Sequence, residues 1–344
     1  MTLIIFILIL GLIIFIHELG HFLFAKKFHI YVYEFSLGFG PKLFSFKRKN
    51  DETEYMVKLI PLGGYVAMAG EDPENEKEVP DDMKLYNKPI WQRFLVMFAG
   101  VLNNFILGFV LLFIIGLIYG CTSFTNVLDN IPQDKNLYKL GARNGDVITK
   151  INGNKVNNYD DVQTFIAIAT EKNKKAIIDI TVKRNEKENT YKVSPIKEKD
   201  GKYYYGISVK INQERGLIPS LKYASEKFIS IYKSLLFIIK GLFTKQIGLN
   251  SLSGPVGIYN IVDSVKSSIQ TLLYLIAYLS INIGFMNVIP FPAFDGGRIL
   301  FLIIEKIKGS RLNSKFESYA NFIGFIILMG LMILVTIKDV INIF

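Results

Sequence analysis

Residues 3–25 are nearly all Leu, Ile, Phe and Gly, a run long enough to cross a bilayer as one helix. Three further apolar stretches of spanning length follow at 94–120, 271–293 and 319–337. In hydrocarbon every backbone N–H and C=O must be satisfied internally. Four such runs therefore confine the chain to spanning helices with folded insertions between them. Half of the 344 residues are hydrophobic (50%), as a polytopic membrane protein requires. The formal charge of +10 is spread over Lys-rich loops. No concentrated basic face with interleaved aromatics exists, which argues against nucleic acid and for contact with anionic lipid headgroups. The first run lacks a positive leader and a small-residue cleavage site, so it is expected to be a retained span.

Charge asymmetry orients the spans. Lys26, Lys27 and Lys42 follow the first run, and Lys84, Lys88 and Arg93 precede the second. The 298–318 connection carries Arg298, Lys306, Lys308, Arg311 and Lys315. Both connections read as cytoplasmic, which puts the N-terminus outside.

Within the first run stands His17-Glu18-Leu19-Gly20-His21. On a helix, residues four apart share a face, so the two imidazoles can hold one metal ion with Glu18 beside it as a base. Five-residue matches arise by chance, but an ionisable group inside a span costs roughly 2.5 kcal/mol or more unless partnered. Two of the chain's three histidines fall here. The bland alternative, histidines satisfied by backbone carbonyls, is the weaker reading.

The single cysteine, Cys121, excludes an intramolecular disulfide and a Cys-based zinc site. Catalytic zinc needs three protein ligands and an open position. A third histidine at the spacing of the longer H-E-x-x-H-x-x-G-x-x-H pattern would fall at position 27, which is lysine. His29 is eight residues beyond His21, and Glu34 or Glu54 could serve only if the chain folds back. Asp295 is the best candidate. It sits in Pro290-Phe291-Pro292-Ala293-Phe294-Asp295-Gly296-Gly297, a helix break between apolar stretches, and broken helices at membrane depth line sites or cavities. Its alternatives are a helix cap or an ion pair with Arg298. Zinc would activate water and polarise a scissile carbonyl. Glu18 would take the proton and return it to the leaving amine. The Asn282 and Asn287 amides are candidates to stabilise the developing oxyanion, to position substrate, or simply to bond across helices.

Residues 54–70 read as two short apolar strands around Pro61-Leu62-Gly63-Gly64, a hairpin dipping into the membrane interface that could offer a strand edge to an unwound substrate. Residues 71–82 hold seven acidic residues and one lysine, a solvated linker. Asn103 and Asn104 read as interhelical hydrogen-bonding groups. Residues 125–211, with a helix at 159–170 opening at Asn157 or Asn158, describe a small α+β or β-sandwich-like module. Residues 217–245 have the spacing of a helix lying on the membrane surface, and Ser253-Gly254-Pro255-Val256-Gly257 reads as a sharp loop.

Taken together, His17–His21, Pro61-Leu62-Gly63-Gly64-Tyr65-Val66, Gly254-Pro255-Val256-Gly257 and Asn287 through Gly297 resemble the motifs of the site-2 protease family of intramembrane zinc metalloproteases, in its bacterial branch that cleaves anti-sigma factors. The resemblance implies zinc on His17, His21 and Asp295, Glu18 as catalytic base, and substrate handling by Asn282 and Asn287; Gly63 and Gly64 are substrate-binding candidates from the strand edge of the hairpin. Residues 140–148 with Ile151-Asn152-Gly153 are similar to that family's extracytoplasmic PDZ domain, present once. Phe294 stands where the family has leucine. The implied protein is a polytopic α-helical membrane protein with four transmembrane helices, a membrane-associated β-hairpin and an inserted PDZ domain. Its parts would be a catalytic core at 1–120 and 261–344, the PDZ domain at 121–211, and an interfacial helix with the GPVG loop at 212–260. Expected partners are single-span membrane substrates, the lipid bilayer and a peptide C-terminus at the PDZ domain. The expected location is the inner (plasma) membrane, with the active site toward the cytoplasm. A catalytically inactive membrane-anchored PDZ adaptor is the alternative, and a transporter is disfavoured by the lack of an internal repeat.

Overall fold

The computed structural model describes residues 1–49, 51–71, 79–171, 173–198, 203–245, 247–248 and 252–341. Most of the acidic linker expected at 71–82 thus lies outside the described residues. The chain divides into two compact units, Met1–Leu111 with Ser253–Phe344, and Leu112–Leu252.

The first unit opens with helix α1 (Thr2–Lys27), followed by strands β1 (Val32–Lys47) and β2 (Glu54–Met68). Helix α2 (Ile90–Tyr119) begins in this unit and ends in the second. Four of the described helices are long and apolar enough to span a membrane: α1, α2, the helix at Ile269–Val288 and the helix at Ser314–Ile341. Each matches one of the four apolar runs, so the protein is integral to a membrane. The third helix ends at Val288, short of the expected 293, because Pro290 and Pro292 supply no N–H to continue it.

Small residues let these helices approach. A Cβ on Gly20 of α1 would strike the Ala99 carbonyl of α2, and one on Gly284 would come within 2.8 Å of the Phe105 ring. Such contacts are how helices associate where lipid removes the hydrophobic drive. The apolar side chains of Leu3, Ile4 and Leu8 on α1, and of Phe322, Ile323 and Ile326 near the C-terminus, point outward.

The strand pairing corrects one expectation. The arms of 54–70 do not close on each other as a hairpin. Instead β1 and β2 pair antiparallel overall, and residues 34–37 of β1 lie opposite both ends of β2. Glu34 faces Ala67 and Glu54, and Leu37 faces Gly64 and Val57. Residues 54–57 also face 44–47 of β1 through Tyr55–Phe46 and Glu54–Lys47. Among the described residues, the ladder of the arm at 64–67 is with residues 34–37 of β1. Gly38 and Gly40, with φ of 88° and 86°, bend β1 where the partner changes. One face packs Val32, Phe35, Val66 and Met68 against Ala25, Val96 and Met97 of α1 and α2. The far end leaves Phe39, Leu43, Phe44, Leu59 and Ile60 exposed.

In the second unit, β3 (Cys121–Leu128), β4 (Val147–Ile151), β6 (Ile178–Arg184), β7 (Lys187–Val193) and β10 (Val209–Glu214) form a sheet in the order β10-β3-β4-β6-β7, with β5 (Asn154–Lys155) on β4. A separate pair is β8 (Ile196–Lys197) and β9 (Tyr203–Tyr204). A single-turn α3 (Asn136–Lys139) precedes β4, and α4 (Tyr159–Thr170) covers a core of Leu128, Ile148, Ile151, Val162, Phe165 and Ile180. Asn158 caps α4 by accepting from Asp161 N at 3.0 Å. Helix α5 (Leu217–Phe243) packs on α4 through Phe165–Phe237, with ring centroids 4.8 Å apart, and through a Lys227–Asp160 ion pair at 2.8 Å.

Asp146 ties this sheet together. It is buried and accepts from Arg143 N (2.9 Å) and from Arg184 Nε (2.5 Å) and Nη2 (2.6 Å). Burial pushes its carboxyl up, but the Arg184 guanidinium and the Arg143 N–H outweigh it and hold it below the usual carboxylate range. A lowered folded pKa stabilises the fold above the unfolded value near ~3.9, and that support is lost as pH falls. Asp146→Asn is expected to lower stability at pH 7 by about 2 kcal/mol. In chemical denaturation of the full chain, variant and parent should converge as acid neutralises the parent's carboxyl.

The chain then returns to the first unit with α6 (Pro255–Val265), α7 (Ile269–Val288), α8 (Asp295–Lys308) and α9 (Ser314–Ile341). The expected loop at 253–257 is in fact the start of α6. Gly254 is its N-cap and Pro255 its first residue, the position where proline's missing N–H costs nothing. Asp339 of α9 accepts from Gly254 N and Gly257 N, both at 2.8 Å, and so closes that helix end.

Candidate metal centre

His17 and His21 project from one face of α1, and α8 brings Asp295 to them across 274 or more residues. Asp295 Oδ2 lies 3.1 Å from His17 Nε2 and 3.4 Å from His21 Nε2, and the two nitrogens are 3.3 Å apart. Among the described residues this is the one cluster of three metal-ligating side chains. Zinc bound at ~2.0–2.2 Å in a tetrahedron sets neighbouring ligand atoms about 3.3 Å apart. The observed separations fit that group. Asp295 Oδ2 is also buried with no hydrogen-bond partner, a costly state for a carboxylate that no cation meets.

The packing of α2 orients both rings. His21 Nδ1 is 2.8 Å from the Val96 carbonyl, which can only accept, so the proton sits on Nδ1 and the Nε2 lone pair is free. Asn104 is fully buried with Nδ2 3.2 Å from His17 Nδ1, while its Oδ1 has no partner. A half-turn of that amide presents Oδ1 to an Nδ1–H, satisfies both groups and frees His17 Nε2 in the same way. Gly100 makes room for the rings. A Cβ there would stand 2.7 Å from His21 Cε1 and 2.9 Å from His17 Cε1. Asn103 donates to the Ile16 carbonyl at 3.1 Å, so it is the interhelical bond that the sequence suggests, whereas Asn104 touches the site itself.

Asp295 is the first residue of α8, where the helix dipole favours a carboxylate. Gly296 and Gly297 let α8 fold tightly onto the end of α7, since a Cβ on either would strike the carbonyls of residues 288–291. The expected alternative, an Asp295–Arg298 pair, is not formed. Arg298 pairs with Glu71, whose other oxygen accepts from Met68 N at 3.2 Å. Glu71 thereby links the end of β2 to the helix carrying Asp295. No local pattern marks this role, because Glu71 opens an acidic run that reads as solvated.

A cavity of about 290 Å³ surrounds these groups, lined among others by Glu18, Gly64, Asn287, Ala293 and Arg298. Gly63, at φ 142°, and Gly64 bring the β2 backbone against Glu18. A Cβ on Gly64 would lie 2.6 Å from Glu18 Cγ. Asn287 faces the cavity, but Asn282 does not line it and donates to the Tyr278 carbonyl of its own helix at 2.7 Å. Five residues separate the two amides, about 140° around a helix, so they leave α7 in different directions.

Two imidazoles and a carboxylate, with an adjacent glutamate, thus form a candidate metal centre in a protein of four apolar spanning helices. The chain belongs to peptidase family M50, the site-2 protease family, whose model matches residues 5–331. It is accordingly a peptidase. It is 34% identical to the regulator of sigma-W protease RasP of Bacillus subtilis, over 100% of this chain and 99% of that one. It is 37% identical to a putative zinc metalloprotease of Fusobacterium nucleatum, over the whole of both chains. It is 36% identical to a putative zinc metalloprotease of Clostridium perfringens, over 96% and 95% of the two.

Proposed function

We propose that this protein is an intramembrane zinc endopeptidase that hydrolyses peptide bonds in the spanning segments of single-span membrane proteins. The observation that carries the reading is the convergence of His17, His21 and Asp295 at 3.1–3.4 Å beside Glu18. His17, His21 and Asp295 hold the zinc. When bound, zinc supplies Lewis-acid chemistry, making water nucleophilic near pH ~7 and polarising the carbonyl. Glu18 receives the proton of the attacking water and delivers it to the leaving amine. Asn287 is the side-chain amide within the cavity able to donate to the oxyanion. A spanning substrate has its carbonyls hydrogen-bonded, so it must unwind. The arm of β2 beginning at Gly63-Gly64 offers it backbone partners by strand addition.

Residues 121–211 of the second unit are the PDZ domain, outside the cytoplasm, and α5 is the interfacial helix that follows it. Its Ile218, Leu221, Ile229, Leu236 and Phe243 are exposed and apolar. The host membrane is the inner (plasma) membrane, with the metal centre toward the cytoplasmic side. The Bacillus relative is named a regulator of sigma-W, and with the family resemblance this supports an anti-sigma factor, trimmed by a first protease, as the substrate. The adaptor alternative is disfavoured because all four groups of the centre are present. The test is the purified protein in liposomes with a single-span substrate. Cleavage inside the span that a zinc chelator stops supports the reading, and persistent cleavage after complete zinc removal overturns it.

A further inference from the structure

The turn that aims Asp295 contains a strained residue, Ala293. Ala293 has φ 77°, a left-handed conformation that a residue with a Cβ rarely adopts. Two prolines, Pro290 and Pro292, precede it and supply no N–H. The Ala293 N–H goes outside the turn, to Asn321 Oδ1 of α9 at 3.2 Å. Three residues further along α9, on the same helix face, Gly324 sits against Pro292. A Cβ there would come within 2.7 Å of the Pro292 carbonyl carbon and 2.9 Å of its Cβ. On the other side, Gly297 of α8 leaves 3.0 Å between a built Cβ and Pro292 Cα. The Pro292–Ala293 unit is thus gripped by α8 and α9, two residues before the ligand.

We infer that Asn321 and Gly324 are positioning residues. The Asn321 amide holds Ala293 in its unfavourable conformation, and the close seat at Gly324 keeps Pro292 in place. Together they fix Asp295 Oδ2 beside the two imidazoles. The inference rests on the zinc reading above. It gives α9, which contributes no ligand, a stated task at the centre.

The experiment compares zinc retention against a competing chelator for the detergent-purified full chain and for Asn321→Ala, Ala293→Gly and the double variant. Groups that orient metal ligands are worth about 10–100-fold in metal affinity, so Asn321→Ala is expected to weaken zinc retention by that factor. Glycine adopts φ near 77° without strain. Ala293→Gly alone should therefore match the parent, and in the double variant it should restore retention. A general anchoring role for α9 would not be rescued by a change at position 293. Zinc retention in Asn321→Ala equal to the parent, or a double variant no better than Asn321→Ala, would overturn the inference. If Asn321→Ala does not accumulate, the double variant must accumulate and hold zinc, and its failure counts equally against it. A parent that binds no zinc would remove the metal reading and this one together, a result distinct from loss in Asn321→Ala alone.

Discussion

Glu18→Gln is expected to bind zinc at one ion per chain, as the parent does, while cleavage falls by about 10²–10⁴-fold. Glutamine keeps the shape of the side chain, which lies close against Gly64, so the packing of α1 on β2 survives. It removes the only function the proposed chemistry asks of this residue, acceptance and return of a proton. The measurement is single-turnover cleavage of a liposome-embedded substrate alongside zinc content. Parental cleavage by Glu18→Gln would remove Glu18 from the mechanism.

Gly100→Ala should disable the site without replacing a ligand. The added methyl lands within 2.9 Å of both imidazole Cε1 atoms, and the obstacles are the rings themselves. Relief requires α2 to move away from α1, but Gly20 lies against the backbone of Ala99 and Gly100 at the same crossing. Overpacking of this kind costs about 1–3 kcal/mol. Because the loss falls on ligand placement, zinc affinity is expected to drop by more than about tenfold. Isothermal titration of the zinc-free protein reads the effect, and unchanged affinity would show that α2 yields freely at Gly100.

What could be read from the chain alone follows the range over which each signal acts. The spans were legible because apolar runs of bilayer length have few other uses. His17, Glu18 and His21 were legible because one helical turn places them, and Asp295 because a lone carboxylate between apolar stretches demands a partner. The rest depended on contacts across the chain. Pairing of residues 34–37 with both ends of β2 is invisible to local alternation, which shows strands but not their partners. Asn104 and Gly100 act on histidines 79 or more positions away, and nothing local separates them from the bonding amide Asn103 or a packing glycine. The polarity of Asn282 in a span signals a need for a partner, but not which one; the Tyr278 carbonyl of the same helix supplies it.

In the proposed mechanism two distant segments of the chain share one ion, and zinc K-edge absorption tests that directly. Purified parent protein should show one zinc with two imidazoles and only light oxygen atoms completing its shell. In Asp295→Ala the zinc content should fall to near zero after mild chelation that leaves the parent loaded. Full retention of zinc by Asp295→Ala, or sulfur from Cys121 in the parent's shell, would contradict the account.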